Sequence, residues 1–77
     1  MTMHKDSMVV QTLLFDKRWT GVEVRTWLHL HNYRAQLDNK PKHWRARQID
    51  PTCFIKSSFR TMTWAPGIQA VVGKLKH

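Results

Sequence analysis

Hydrophobic and polar positions divide the chain into a short series of elements. The run from Met8 to Phe15 is rich in β-branched and aromatic residues and reads as a first strand. Thr20 and Glu23 have the spacing of a capping box. Behind them Val24, Trp27, Leu28 and His31 recur at helical intervals on one face. Asn32 is a suitable left-handed stop, so the spacing predicts a helix over 21–32. The polar stretch 33–42 ends in Lys40, Pro41 and Lys42 and reads as a loop.

Two-residue alternation returns afterwards. His43 to Ile49 forms a second strand, with Trp44, Ala46 and Gln48 on one side and His43, Arg45, Arg47 and Ile49 on the other. Asp50 and Pro51 break it, and the link over 52–56 is expected to tuck its apolar residues into the core. Ser58 to Trp64 forms a third strand, with Arg60, Met62 and Trp64 on one side and Phe59, Thr61 and Thr63 on the other. Ala65, Pro66 and Gly67 make a tight turn into a last strand, Ile68 to Gly73, giving a hairpin. The order β-α-β-β-β describes a small α+β domain over 9–76, preceded by a flexible tail at 1–8. Its expected architecture is an antiparallel sheet of three to four strands with one helix packed on one face, the first strand beside the last and closing the sheet around the helix.

Those residues also carry a resemblance. Arg45-x-Arg47-Gln48, Asp50-Pro51, Ser58-Phe59-Arg60-Thr61 and Gly67-Ile68-x-Ala70-Val71-Val72-Gly73-Lys74, with Phe15, Thr20, Val24, Trp27, Leu28, His31 and Phe54, resemble a small accessory domain of bacteriophages and prophages. The likeness covers about 11–76. Its members occur alone or attached to larger phage proteins, including ones near capsid and maturation genes. They usually carry an aromatic where this chain has Ala46, which implies different packing there. No activity is attached to the family. The resemblance implies a setting, the cytoplasm of a bacterial host or a virion, and no chemistry.

Charge changes the picture more than composition does. The 77 residues hold 13 Lys and Arg against 5 Asp and Glu, a formal +8. Residues 34–60 alone hold a net +5. No apolar run approaches the roughly 20 residues that span a bilayer, and 1–8 lack the apolar centre of a secretory signal, so no membrane contact is expected. The single Cys53 excludes an internal disulfide, fits a reducing compartment, and reads as a small buried hydrophobe.

Catalytic chemistry finds little to work with. Glu23 is committed to the cap, Asp50 to a turn, and Asp16 and Asp38 to loops. Three glycines leave no phosphate-binding loop. His29 and His31 are two apart on a helix and cannot share an ion, and His31 reads as a core histidine. No catalytic residue, metal or cofactor is expected.

Binding is the remaining class. Trp27 and Trp44 read as core, and Trp19 as a staple at the start of the helix. If the helix covers Trp44, Ala46, Ile68, Ala70 and Val72, Arg45 and Arg47 point to an uncovered sheet face. With Arg60 and Trp64 beside them, that face becomes a platform for nucleic acid, the cations holding phosphates and the aromatic stacking a base. Lys40 and Lys42 would position the backbone. The same residues fit two other partners. One is an acidic host or phage protein, met by a virion component or by a small inhibitor of a host enzyme. The other is a second copy of the chain burying Met62 and Trp64 in a homodimer.

Overall fold

The computed structural model describes residues 8–76, so the tail predicted at 1–8 lies, save for Met8, outside the described residues. Strand β1 spans Val9–Asp16, helix α1 Gly21–Leu30, β2 Asp38–Asn39, β3 His43–Arg47, β4 Arg60–Ala65 and β5 Ile68–Gly73. Single turns of 3₁₀ helix occupy Pro51–Cys53 and Lys56–Ser58. The sheet is antiparallel and open, in the order β2-β3-β1-β5-β4. It has five strands because Asp38 and Asn39, inside the predicted loop, pair with Arg45 and Trp44.

The helix follows from its ends. Thr20 sits in an extended conformation and its Oγ1 accepts from the Glu23 amide at 3.1 Å, while Glu23 Oε1 accepts from the Thr20 amide at 2.8 Å. That is the reciprocal capping box. The helix ends at Leu30, two residues earlier than predicted, because Asn32 takes φ 61°. The Tyr33 amide then donates to Leu28 O at 2.8 Å and the Asn32 amide to His29 O at 3.2 Å, a Schellman closure. Tyr33 is returned onto Trp27, with ring centroids 6.0 Å apart and nearly parallel.

The core lies between α1 and the middle of the sheet. Leu13 pairs with Ala46 on one side and Ala70 on the other, and Phe15 with Trp44 and Ile68. Directly opposed residues share a face, so these side chains form one surface, against which Val24 and Leu28 are fully buried. Phe15 meets Trp19 and Trp27 edge-on at 5.3 and 5.4 Å. Ala46 has no exposed surface.

Several predicted core positions lie further out. His31 is exposed, its ring stacked on Trp27 at 3.9 Å and its Nδ1 2.8 Å from Trp27 O. Cys53 is also exposed, at the end of the 3₁₀ turn Pro51–Cys53, while its carbonyl accepts from the Lys76 amide at 2.9 Å. Of the link's apolar residues only Phe54 is buried; Ile55 is 43% exposed. Phe54 packs on Phe59, centroids 5.4 Å apart. A Cβ at Gly73 would come within 2.9 Å of Phe54 and 3.1 Å of Phe59. Gly73 alternates with Gln69 and Val71 on the face away from the helix, so these two rings close one end of that face.

Candidate nucleic-acid interface

The register decides which predicted residues come together. Arg45 opposes Leu14 and Arg47 opposes Thr12, both alternating with the buried Leu13. Arg45 and Arg47 therefore lie on the face away from α1. Lys40 and Lys42 flank Pro41 in the β2–β3 connection, and the Lys40 amide donates to His43 O at 3.0 Å to close it. Lys40, Lys42, His43 and Arg45 line one depression of about 380 Å³, in which no carboxylate takes part.

Arg60 and Trp64 are elsewhere. Arg60 opposes Val72, and Met62 opposes Ala70, both core residues on the helix side. An irregularity between Thr63 and Ala65 adds Trp64 as an extra residue, and its ring lies 6.2 Å from Tyr33, again on the helix side. The three-arginine platform with a tryptophan is thus not one surface. Arg45 and Arg47 occupy one face near one edge of the sheet; Arg60, Met62 and Trp64 occupy the other face at the opposite edge. Alternation within each strand was legible in the sequence, but the parity between strands depends on the pairing register, which no local pattern specifies.

The basic site is only partly neutralised from within. Arg45 Nη2 donates to Asp38 Oδ2 at 3.2 Å across the β2–β3 pair. Its Nε is buried with no acceptor among the described residues. Among these the guanidinium is therefore paired through Nη2 alone, and its side chain is partly exposed. Lys17 lies 4.0 Å over the Trp44 ring and hydrogen-bonds Asn39, adding a cation on the helix side of the same edge. Trp44 itself is fixed by its Nε1, which donates to Trp19 O at 2.9 Å.

Two neighbouring basic residues serve structure. Arg18 donates from Nη2 and Nε to Asp16 at 2.6 and 3.0 Å. That side-chain hydrogen bond lowers the Asp16 pKa and raises that of Arg18. Arg34 is held by Gln48, whose Oε1 accepts from the Arg34 amide at 2.7 Å and whose Nε2 donates to Arg34 O at 2.9 Å; Arg34 Nη1 also donates to Gln48 O at 3.0 Å. Gln48 is only 8% exposed and ties the long connection to the end of β3. Sequence reasoning missed it. Its signal was a polar residue on the same strand face as Trp44 and Ala46.

Among the described residues no group of three His, Cys, Asp or Glu side chains gathers where it could hold a metal, and no helix is long and apolar enough to cross a membrane. Comparison with protein families, with curated proteins and with solved structures found no match.

Proposed function

We propose that this protein is a non-catalytic, phage-type accessory protein that binds nucleic acid through the β2–β3 edge. The observation that carries the reading is the convergence of Lys40, Lys42, His43 and Arg45 on one depression, where, among the described residues, Arg45 alone of the four is ion-paired, to Asp38. Arg47, exposed two residues along β3, extends the positive strip. Lys40 and Lys42, on a proline-stiffened connection, meet the phosphate backbone. Arg45 exchanges its Asp38 partner for a phosphate oxygen. Nothing in this arrangement reads base edges, so affinity is electrostatic and insensitive to sequence. The phage resemblance supplies the setting, the cytoplasm of a bacterial host or a virion.

The test is fluorescence anisotropy of labelled single- and double-stranded oligonucleotides across a salt series. The wild type loses affinity steeply with salt, by about 0.7 to 0.9 in log–log slope for each phosphate neutralised. Arg45→Glu with Arg47→Glu weakens binding by about tenfold or more and flattens the slope. Arg60→Glu, on the other face, has a much smaller effect. No binding at low salt would sink the proposal. The alternative, an acidic protein partner met by the same cations, would then be tested by pull-down with the double mutant as control.

A further inference from the structure

The β4 edge is built differently from the basic one. Arg60–Ala65 is the terminal strand of the sheet and is exposed along Arg60 to Trp64. Between Arg60 and Ala65 it carries no charge, and it is rich in threonine and aromatic or apolar residues. Such an edge offers unpaired backbone donors and acceptors to another strand. Beside it on the helix side lies a groove of about 580 Å³, whose lining includes Met8, Ile55, Arg60, Met62 and Val72. Met62 is 49% and Trp64 41% exposed.

We infer that the occupant of this edge is a second copy of the chain, paired β4 to β4 antiparallel about a two-fold axis through Met62. The inference is independent of the nucleic-acid reading and rests on self-complementarity. Arg60 and Trp64 stand two residues to either side of Met62 and on the helix side with it, Trp64 as the extra residue of the bulge. In this register Met62 meets Met62 of the other copy, and Arg60 of each meets Trp64 of the other. Directly opposed side chains lie about 5 Å apart at Cβ, within cation–π reach. The tryptophan that each copy leaves exposed then covers the arginine at the mouth of the groove. The interface is isologous and closes at two copies.

Charge distribution favours the same arrangement. Two chains of +8 repel if their basic surfaces meet. Joining at β4 makes a ten-stranded sheet with the β2–β3 hairpins at its far ends. The two β3 strands are then seven strand spacings apart, about 34 Å, several times the Debye length of about 8 Å at physiological salt. An axis perpendicular to the sheet keeps both helices on one side and both arginine-bearing faces on the other.

The experiment is sedimentation of the full chain over a concentration series, combined with cysteine cross-linking in a Cys53→Ser background. Reversible dimerisation is expected, weakened about tenfold or more by Trp64→Ala. Met62→Cys should oxidise to a covalent dimer, whereas Thr63→Cys alone should not. A mixture of Thr61→Cys and Thr63→Cys chains should cross-link with each other, because the register opposes those positions; both sites are exposed, so this arm does not depend on tolerance at Met62. Circular dichroism checks that each variant is folded. A chain that stays monomeric at every concentration overturns the inference, including the case in which it captures a foreign acidic strand instead. So does a dimer indifferent to Trp64→Ala whose cysteine pairs fail to cross-link.

Discussion

The two edges of the sheet solve one problem in opposite ways. At one end β2 is only two residues long, followed by Lys40, Pro41 and Lys42, with Arg45 on its neighbour. Brevity, proline and charge together discourage another strand from pairing there. At the other end β4 is six residues long and uncharged from Thr61 to Ala65. The same sheet thus carries a short, basic edge and a longer, largely uncharged one, the two surfaces on which the two proposals rest. The difference comes from strand length, from Pro41 and from side chains at the two edges, Lys40, Lys42 and Arg45 at one and Met62 and Trp64 at the other. It leaves the shared centre of β1 and β5 untouched.

Removing that centre should destroy both edges at once. Phe15 is fully buried, pairs with both neighbouring strands and contacts two tryptophans. Phe15→Ala is expected to cost about 3–5 kcal/mol, which for a domain of this size approaches the whole stability. Chemical denaturation checks this. A loss below about 1 kcal/mol would mean that the core is not organised around β1.

Selective damage should separate the edges. Gln48→Ala removes the side-chain partners of the part-buried Arg34 amide and carbonyl, two hydrogen bonds expected to be worth about 1–3 kcal/mol together. It loosens the connection leading to β2, so hydrogen exchange should rise at 34–42 while that of β4 is unchanged. Gly73→Ala does the reverse. Its Cβ must displace Phe54 and Phe59, at an expected cost of about 1–3 kcal/mol. Exchange should then rise over 54–62 and spare the basic hairpin. If either substitution loosened both ends equally, the edges would not be separable units.

Acid gives the smallest effect. Asp50 has a lowered pKa, first because it accepts from the Thr52 backbone amide and then from the Thr52 hydroxyl. Asp16 is lowered by Arg18. A carboxylate with a depressed folded-state pKa stabilises the fold above its unfolded value of 3.8. That contribution disappears as the pH falls through the lower folded value. The melting temperature should therefore fall modestly below about pH 4, with Asp50→Asn and Asp16→Asn each flattening the dependence. Asp50 starts the turn leading towards β4, and Asp16 ends β1 near the basic hairpin. The two variants report on the two ends separately.

How much of this was legible in the sequence depends on the range of the forces involved. The capping box of Thr20 and Glu23, the left-handed stop at Asn32, the Pro66-Gly67 turn and the alternation within β3, β4 and β5 were all readable. Each is determined by contacts within a few residues. The packing of Trp44, Ala46, Ile68, Ala70 and Val72 under the helix was readable too, because one helix needs one apolar surface. The basic strip at Lys40, Lys42, Arg45 and Arg47 was already a cluster along the chain.

What only the tertiary structure decided is long-range. Asp38 and Asn39 become a strand because Arg45 and Trp44 hold them, with no propensity of their own to say so. Gln48 becomes a clamp because the connection passes over it. His31 and Cys53 are exposed, although one follows Leu30 on the helix and the other precedes the buried Phe54. Above all, Arg60 and Trp64 part from Arg45 and Arg47. A period of two assigns residues to alternate sides of their own strand, and only hydrogen-bonded pairing through β5 and β1 determines which side of β4 matches which side of β3. Shifting any register by one residue would have united them on one face.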